Sequence, residues 1–257
     1  MKNIQAVTFF DLDGTLLDHK SQITPEITHA IQALKNNNIL PLIATGRTVV
    51  EIEHIMKASG IDSAIVMNGQ FIQVEGKKVY SDEFTYEECL KMYEQVKNLG
   101  HELSFYNDQQ IWCSGHNDIV TNAYAFIHSQ PPVIDHSSLE DKTVNMMLVL
   151  SEDGDEHYLK NFPEMTFYRN GPYSIDTVRK GVSKGTGVQN LFKTLDLPNV
   201  HTFAFGDGIN DLALFEACDN KIAMGNARKE LKERSSFITK KNTEGGIVHA
   251  LKHFDLI

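Results

Sequence analysis

The sequence predicts an α/β protein: a Rossmann-like parallel sheet wound with helices, carrying a second α/β module inserted into it. Two observations carry this. At both ends of the chain, short apolar runs of β-forming residues alternate with helical patterns, the rhythm that makes strand–crossover–strand units. Between those ends the rhythm changes to strands in hairpin pairs.

Ile4 to Phe10 is a short apolar run and reads as a buried strand. It stops at Asp11-Leu-Asp-Gly-Thr-Leu-Leu17. A helix follows with Thr24 as N-cap, Pro25 in its first position, and Ile27, Ile31 and Leu34 at helical spacing. Ile39–Ala44 is a second buried strand ending at Thr45-Gly-Arg47. The helix through Ile52, Ile55 and Met56 stops at Gly60. Ala64–Met67 is a third strand; Asn68-Gly69 and a hairpin through Phe71–Val74 and Lys77–Tyr80 come next.

Thr85-Tyr-Glu-Glu88 is a capping box opening a helix. Glu102–Tyr106, Gln110–Cys113, Val144–Leu150, Glu164–Arg169 and Pro172–Asp176 read as strands, and Ser129–Pro132 as a loop. The alternating rhythm then returns. A helix through Val188, Leu191, Phe192 and Leu195 leads to a strand Val200–Phe205, then Gly206-Asp-Gly-Ile-Asn-Asp211 and a helix. A strand Lys221–Met224 and helices around Ala227–Arg234 and Gly246–His253 complete it. The expected division is a core of residues 1–82 and 184–257, with 83–183 inserted.

Composition limits the function. The chain has 257 residues, 41% hydrophobic and 23% charged, enough apolar material for a core and unlike a disordered chain. Its net charge of −10, with a pI near 5.5, argues against nucleic-acid and anionic-membrane partners, which attract Lys and Arg. Residues 83–183 hold 7 Lys/Arg against 16 Asp/Glu; the rest hold 17 against 18, so the acidity lies in the insertion. That disfavours a second anionic substrate group bound there, unless Arg169, Arg179 or Lys180 receives it.

No stretch approaches the ~18 apolar residues of a membrane span. The first apolar run is too short, and too soon followed by acids, for a signal peptide. Cys89, Cys113 and Cys218 form no CxxC pair and read as idle thiols in a reducing cytoplasm. His101, His116, His128, His136 and His157 lack metal-ligand spacing and read as structural or surface residues.

The chemistry gathers at strand ends, where open parallel sheets bind ligands. Asp11 and Asp13 follow the first strand and can aim two carboxylates at one pocket; a solvated Asp-Gly turn fits the same residues. Thr45 and Gly46 offer a hydroxyl and N–H groups for a phosphate, or a helix N-cap. Lys184, between Ser183 and Gly185, can neutralise a phosphoryl group or lie on the surface. Asp207 and Asp211 flank Gly208 and Asn210 after a late strand; Asp211 also suits a helix cap.

The order of these motifs is more specific than any of them alone. With Asp11-Leu-Asp-Gly-Thr15, Thr45, Lys184 and Gly206-Asp-Gly-Ile-Asn-Asp211 as its four motifs, the chain resembles the haloacid dehalogenase superfamily of phosphohydrolases. The insertion between the second and third motifs, with Ala44-Thr-Gly-Arg47, Met67-Asn-Gly69 and Val182-Ser-Lys-Gly185, is similar to the Cof-type group with a large α/β cap.

The resemblance implies a phosphatase of small phosphomonoesters, sugar phosphates or phosphorylated cofactors. Asp11 is then the nucleophile that forms an aspartyl-phosphate, and Asp13 the acid/base. One Mg²⁺ would be held by Asp11, the Asp13 carbonyl, Asp207 and Asp211, the last directly or through water. Leu12, Thr45, Gly46, Lys184 and Asn210 would hold the phosphoryl oxygens. A sugar phosphomutase and a catalytically degenerate phosphate sensor are the alternatives. The oligomeric state is open.

Overall fold

The computed structural model describes residues 4–127, 129–135, 139–197 and 200–257, with Asn170 by its backbone alone. The chain divides into two compact units. The first is Met1–Arg47, Glu51–Tyr80 and Ser183–Ile257; the second is Thr48–Val50 and Ser81–Val182.

The chain opens with β1 (Ala6–Phe10), α1 (Pro25–Asn36), β2 (Ile39–Ala44), α2 (Val49–Ser59), β3 (Ala64–Val66), β4 (Phe71–Val74) and β5 (Lys77–Ser81). It continues through α3 (Tyr86–Asn98), β6 (Glu102–Tyr106), β7 (Ile111–Cys113), α4 (Asp118–Phe126), β8 (Val133–Ile134), β9 (Met146–Leu150), α5 (Asp155–Asn161), β10 (Met165–Gly171) and β11 (Ser174–Arg179). It ends with α6 (Lys184–Leu195), β12 (His201–Gly206), α7 (Leu212–Glu216), β13 (Asn220–Ala223), α8 (Lys229–Glu233), β14 (Phe237–Ile238) and α9 (Gly246–His253).

The first unit is an eight-stranded sheet in the order β14-β13-β12-β1-β2-β3-β4-β5. Strands β14 to β3 run parallel, and β4 turns antiparallel to β3. Residues Ala6–Phe10 of β1 are all buried, as a central parallel strand covered on both faces requires. Phe10 stacks on Phe205 of the neighbouring strand, ring centroids 4.8 Å apart. The register fixes the site: Phe10 pairs with both Phe205 and Ile43. Asp11, Asp207 and Thr45 therefore leave the sheet within two residues of paired positions, on one edge.

The second unit is a six-stranded sheet, β10-β11-β9-β6-β7-β8, with β8 alone parallel to its neighbour. Leu103 and Phe105 of β6 and Met147 and Val149 of β9 share one face by their period of two. They pack with Met92 and Val96 of α3, Tyr158 of α5 and Phe162 just past its end. The Thr85 capping box forms as expected: Thr85 Oγ1 accepts the Glu88 N–H at 3.2 Å, and the Thr85 N–H donates back to Glu88 at 2.7 Å. Helices α4 and α5 and strands β8 and β14 go beyond the sequence reading. The expected strand Pro172–Asp176 becomes Ser174–Arg179, because β10 pairs with it as far as Met165 opposite Arg179.

Arg169 is held by Asp155 and by the Ser151 carbonyl. Arg179 bridges Asp82 and Glu88 and donates to the Glu83 carbonyl. Both cations are thus engaged inside the second unit. The three cysteines are free and buried. Burial pushes the Cys89 and Cys218 thiols up to about 12, so neither is a thiolate nucleophile. His101 hydrogen-bonds the Tyr158 hydroxyl at 2.7 Å, a structural role; His128 and His136 lie outside the described residues. Among the described residues no helix is long and apolar enough to cross a membrane.

Candidate active site

The site is built at the edge where β1, β2 and β12 end. The Asp11 N–H donates to the Phe205 carbonyl at 3.0 Å, continuing the β1–β12 ladder one residue further. Its buried carboxylate follows from that register. The chain then turns tightly through Leu12–Leu16, with the Leu16 and Leu17 N–H groups returning to the Asp11 and Leu12 carbonyls. Gly14 makes this turn possible. Its φ is +79°, and a Cβ there would stand 2.3 Å from Asp207 Oδ2. The turn thus presses against the Asp207 carboxylate.

Lys184 is the first residue of α6, just past its cap. Ser183 Oγ accepts the Thr186 N–H, and the Ser183 N–H donates to Thr186 Oγ1. Two close approaches seat this helix start: a Cβ on Gly185 would meet the Ala213 carbonyl at 2.2 Å, and one on Gly187 would meet Ile65 at 2.5 Å. The ammonium is buried, 2.6 Å from Asp11 Oδ1 and 2.7 Å from Asp211 Oδ1. Of the two readings the sequence allowed, the surface lysine is excluded.

Asp211 serves as cap and ion-pair partner together. Its Oδ2 accepts the N–H groups of Asp207 and Gly208, both at 3.0 Å, while Oδ1 takes Lys184. Asp207 is half-buried beside it. Asp11, Asp207 and Asp211 each place one carboxylate oxygen within 4.8 Å of the others.

Three acids and one lysine leave an excess of negative charge in a low-dielectric place. Burial first, and Asp211 next, raise Asp11 to about 8 against the pull of Lys184. Burial and Asp211 raise Asp207 to about 6. Burial works to lower Lys184, but Asp11 and Asp211 outweigh it and hold the amine above its ordinary value. A cluster that strains to take up protons suits a cation better. Its all-oxygen donors fit a hard divalent ion.

Thr45 lies at the end of β2, buried, with its N–H bound to the Ile65 carbonyl. Its hydroxyl accepts the Arg47 N–H at 3.2 Å and remains free to donate. It is not the cap of α2; the Val50 N–H goes to Thr48 Oγ1. The loop is fastened to the Met67–Gly69 turn: Asn68 N–H to the Thr45 carbonyl, Met67 N–H to the Arg47 carbonyl. Met67 and Asn68 sit at φ +50° and +55°, strained for side-chain-bearing residues, which these bonds hold in place.

Asp13 does not join the acid cluster through its carboxylate. It is exposed and gripped by Arg47 on both oxygens, Nε to Oδ2 at 3.0 Å and Nη2 to Oδ1 at 2.5 Å. Arg47 stands in a tripeptide the sequence singled out, but no role was assigned to it there. Leu12 is buried under the turn. Gly46 is half-buried at the loop, and Asn210 is exposed, its Oδ1 lying close against Gly208.

A haloacid dehalogenase-like hydrolase family profile matches residues 8–251. The chain belongs to this family. It is 30% identical over 250 residues to the Bacillus subtilis (strain 168) protein named "Putative phosphatase YkrA", covering 97% of each chain. A solved structure of a hypothetical protein from Geobacillus kaustophilus HTA426 superposes with a TM-score of 0.92 at 32% identity, over 99% of this chain and 100% of that one. The HAD subclass IIB sugar phosphatase BT4131 superposes at 0.82 with 26% identity, over 98% of this chain and 100% of that one. The family expected from the four motifs is the family found, and the haloacid dehalogenase fold accounts for both the parallel core and the inserted α/β unit.

Proposed function

We propose that this hydrolase cleaves small phosphomonoesters, with sugar phosphates the first class to test, through an aspartyl-phosphate on Asp11 and with one Mg²⁺. One observation carries the reading. A buried lysine joins Asp11 to Asp211 at the edge of a parallel sheet, with Asp207 beside them. A structural relative supports the substrate class: BT4131 is a sugar phosphatase.

Asp11 attacks phosphorus with a carboxylate oxygen, and the bond to the leaving alcohol breaks. Asp13 gives that alcohol its proton, then takes one from the water that attacks the phosphorus. The Asp11–phosphorus bond breaks in this second step, releasing inorganic phosphate and the free carboxylate. Lys184 holds Asp11 in place and offsets charge on the transferring group; the Thr45 hydroxyl, the Gly46 N–H and the Asn210 amide complete the phosphate contacts. Asp11, Asp207 and the Asp13 carbonyl would hold Mg²⁺, with Asp211 braced behind them. The ion supplies positive charge that lets an anionic nucleophile meet an anionic ester. Arg47 aims Asp13, and must release it for the carboxyl to carry a proton. The inserted unit selects the leaving group.

The test is phosphate release from a panel of sugar and cofactor phosphates, with and without Mg²⁺. Asp13→Ala should slow an alkyl or sugar phosphate far more than an aryl phosphate, whose leaving group hardly needs an acid. A hexose phosphate that is isomerised with no phosphate released would favour a mutase instead.

A further inference from the structure

The turn after β13 reaches the acid cluster from outside the four motifs. It is bound to the Asp207 loop at two points. The Met224 N–H donates to the Gly206 carbonyl at 3.0 Å, and the Arg228 N–H to the Asp207 carbonyl at 2.9 Å. Between these anchors stands Asn226. Its Nδ2 donates to the Gly14 carbonyl at 2.8 Å and reaches Asp207 Oδ2 at 3.4 Å. Its Oδ1 accepts the Asn242 N–H at 3.0 Å.

These contacts fix which end of the amide points where. A carbonyl and a carboxylate only accept, and a backbone N–H only donates. The reversed amide would set oxygen against two acceptors and NH₂ against a donor. Asn242 is tied down in turn, its Nδ2 donating to the Leu17 carbonyl at 2.8 Å. An exposed side chain is thus oriented by partners on three separate stretches of chain. It closes on the same Asp207 oxygen that the bare Gly14 backbone crowds.

We propose that Asn226 is a positioning residue for Asp207, holding its carboxylate and the Gly14 turn in the arrangement that receives a divalent cation. This rests on the reading of Asp11, Asp207 and the Asp13 carbonyl as the ligands of a Mg²⁺ site. Asn226 acts through Asp207 and through the turn that carries Asp13. Groups that orient a metal ligand in this way typically contribute about 10–100-fold to metal affinity. A purely structural surface turn would contribute nothing to it.

The experiment is a Mn²⁺ titration of the full chain without substrate, following free Mn²⁺ by electron paramagnetic resonance, beside thermal melts of the metal-free protein. Asn226→Ala is expected to raise the Mn²⁺ Kd about tenfold while leaving the metal-free Tm within a few degrees. Asn226→Ser keeps a polar group on this turn but lacks the reach to Gly14 and Asp207, so it should shift the Kd alike even if the Ala variant folds poorly. An unchanged Kd in both variants, with or without a lower Tm, overturns the assignment of Asn226 alone. A wild-type chain that binds no Mn²⁺ overturns the cation site and the assignment together.

Discussion

Replacing Asp207 by Asn tests the electrostatics of the cluster with little change in shape. In the metal-free protein Asp207 is raised from 3.8 to about 6, chiefly by burial and then by Asp211. Below the unfolded value the group is protonated in both states and folding loses nothing. As pH rises through 6, the folded state must hold a charge it disfavours, so stability falls. At about 1.4 kcal/mol per unit the full shift is worth roughly 3 kcal/mol. The carboxylate is partly open to solvent, and screening reduces this to about 1–2 kcal/mol. For a chain of this size that corresponds to roughly 2–8 °C in Tm.

The assay is thermal melting in a chelator across pH 4 to 8. Asp207→Asn should melt above wild type at pH 8, and the gap should close toward pH 4. Added Mg²⁺ should reverse the order, since a ligand at 100 times its Kd stabilises by about 2.7 kcal/mol and the variant has lost a ligand. A variant that melts below wild type at pH 8 without metal, or that keeps the full Mg²⁺ gain, refutes the reasoning.

Three further outcomes are expected. Lys184→Met leaves Asp11 and Asp211 buried without their cation and should lower stability by about 3–5 kcal/mol, read by denaturant melts. The same variant should lose at least about 100-fold in kcat on any ester it still binds, measured by phosphate release. Arg47→Ala breaks an exposed ion pair and should change stability by no more than about 1 kcal/mol, yet slow alkyl esters more than aryl ones, because Asp13 loses its aim.

The sheet edge was legible because buried strands are apolar runs that end abruptly at acids: β1 at Asp11, β12 at Asp207. Local signals also gave α1, α3 and the turn at Gly14, since caps and glycines act within a few residues. What escaped depends on distant partners. Asp13 and Arg47 lie 34 positions apart, and Asn226 and Gly14 lie 212 apart. No periodicity connects such pairs. Lys184 was singled out by its glycine-rich setting, but its burial between Asp11 and Asp211 follows only from how α6 docks on β3 and α7. Helices α4 and α5 were missed for another reason. They are short, and their starts rest on single cues, the Asn117 side chain accepting the Val120 N–H and Gly154 at φ +82°.

In the proposed mechanism Asp11 carries the phosphoryl group between the two half-reactions. Acid quenching during turnover of a phosphate ester, followed by peptide mass spectrometry, tests it most directly. A phosphoryl group is expected on the peptide holding Asp11, present only with Mg²⁺, and absent from an Asp11→Asn variant that folds but does not turn over. Sustained phosphate release by Asp11→Asn, or a label on any other residue, would contradict it.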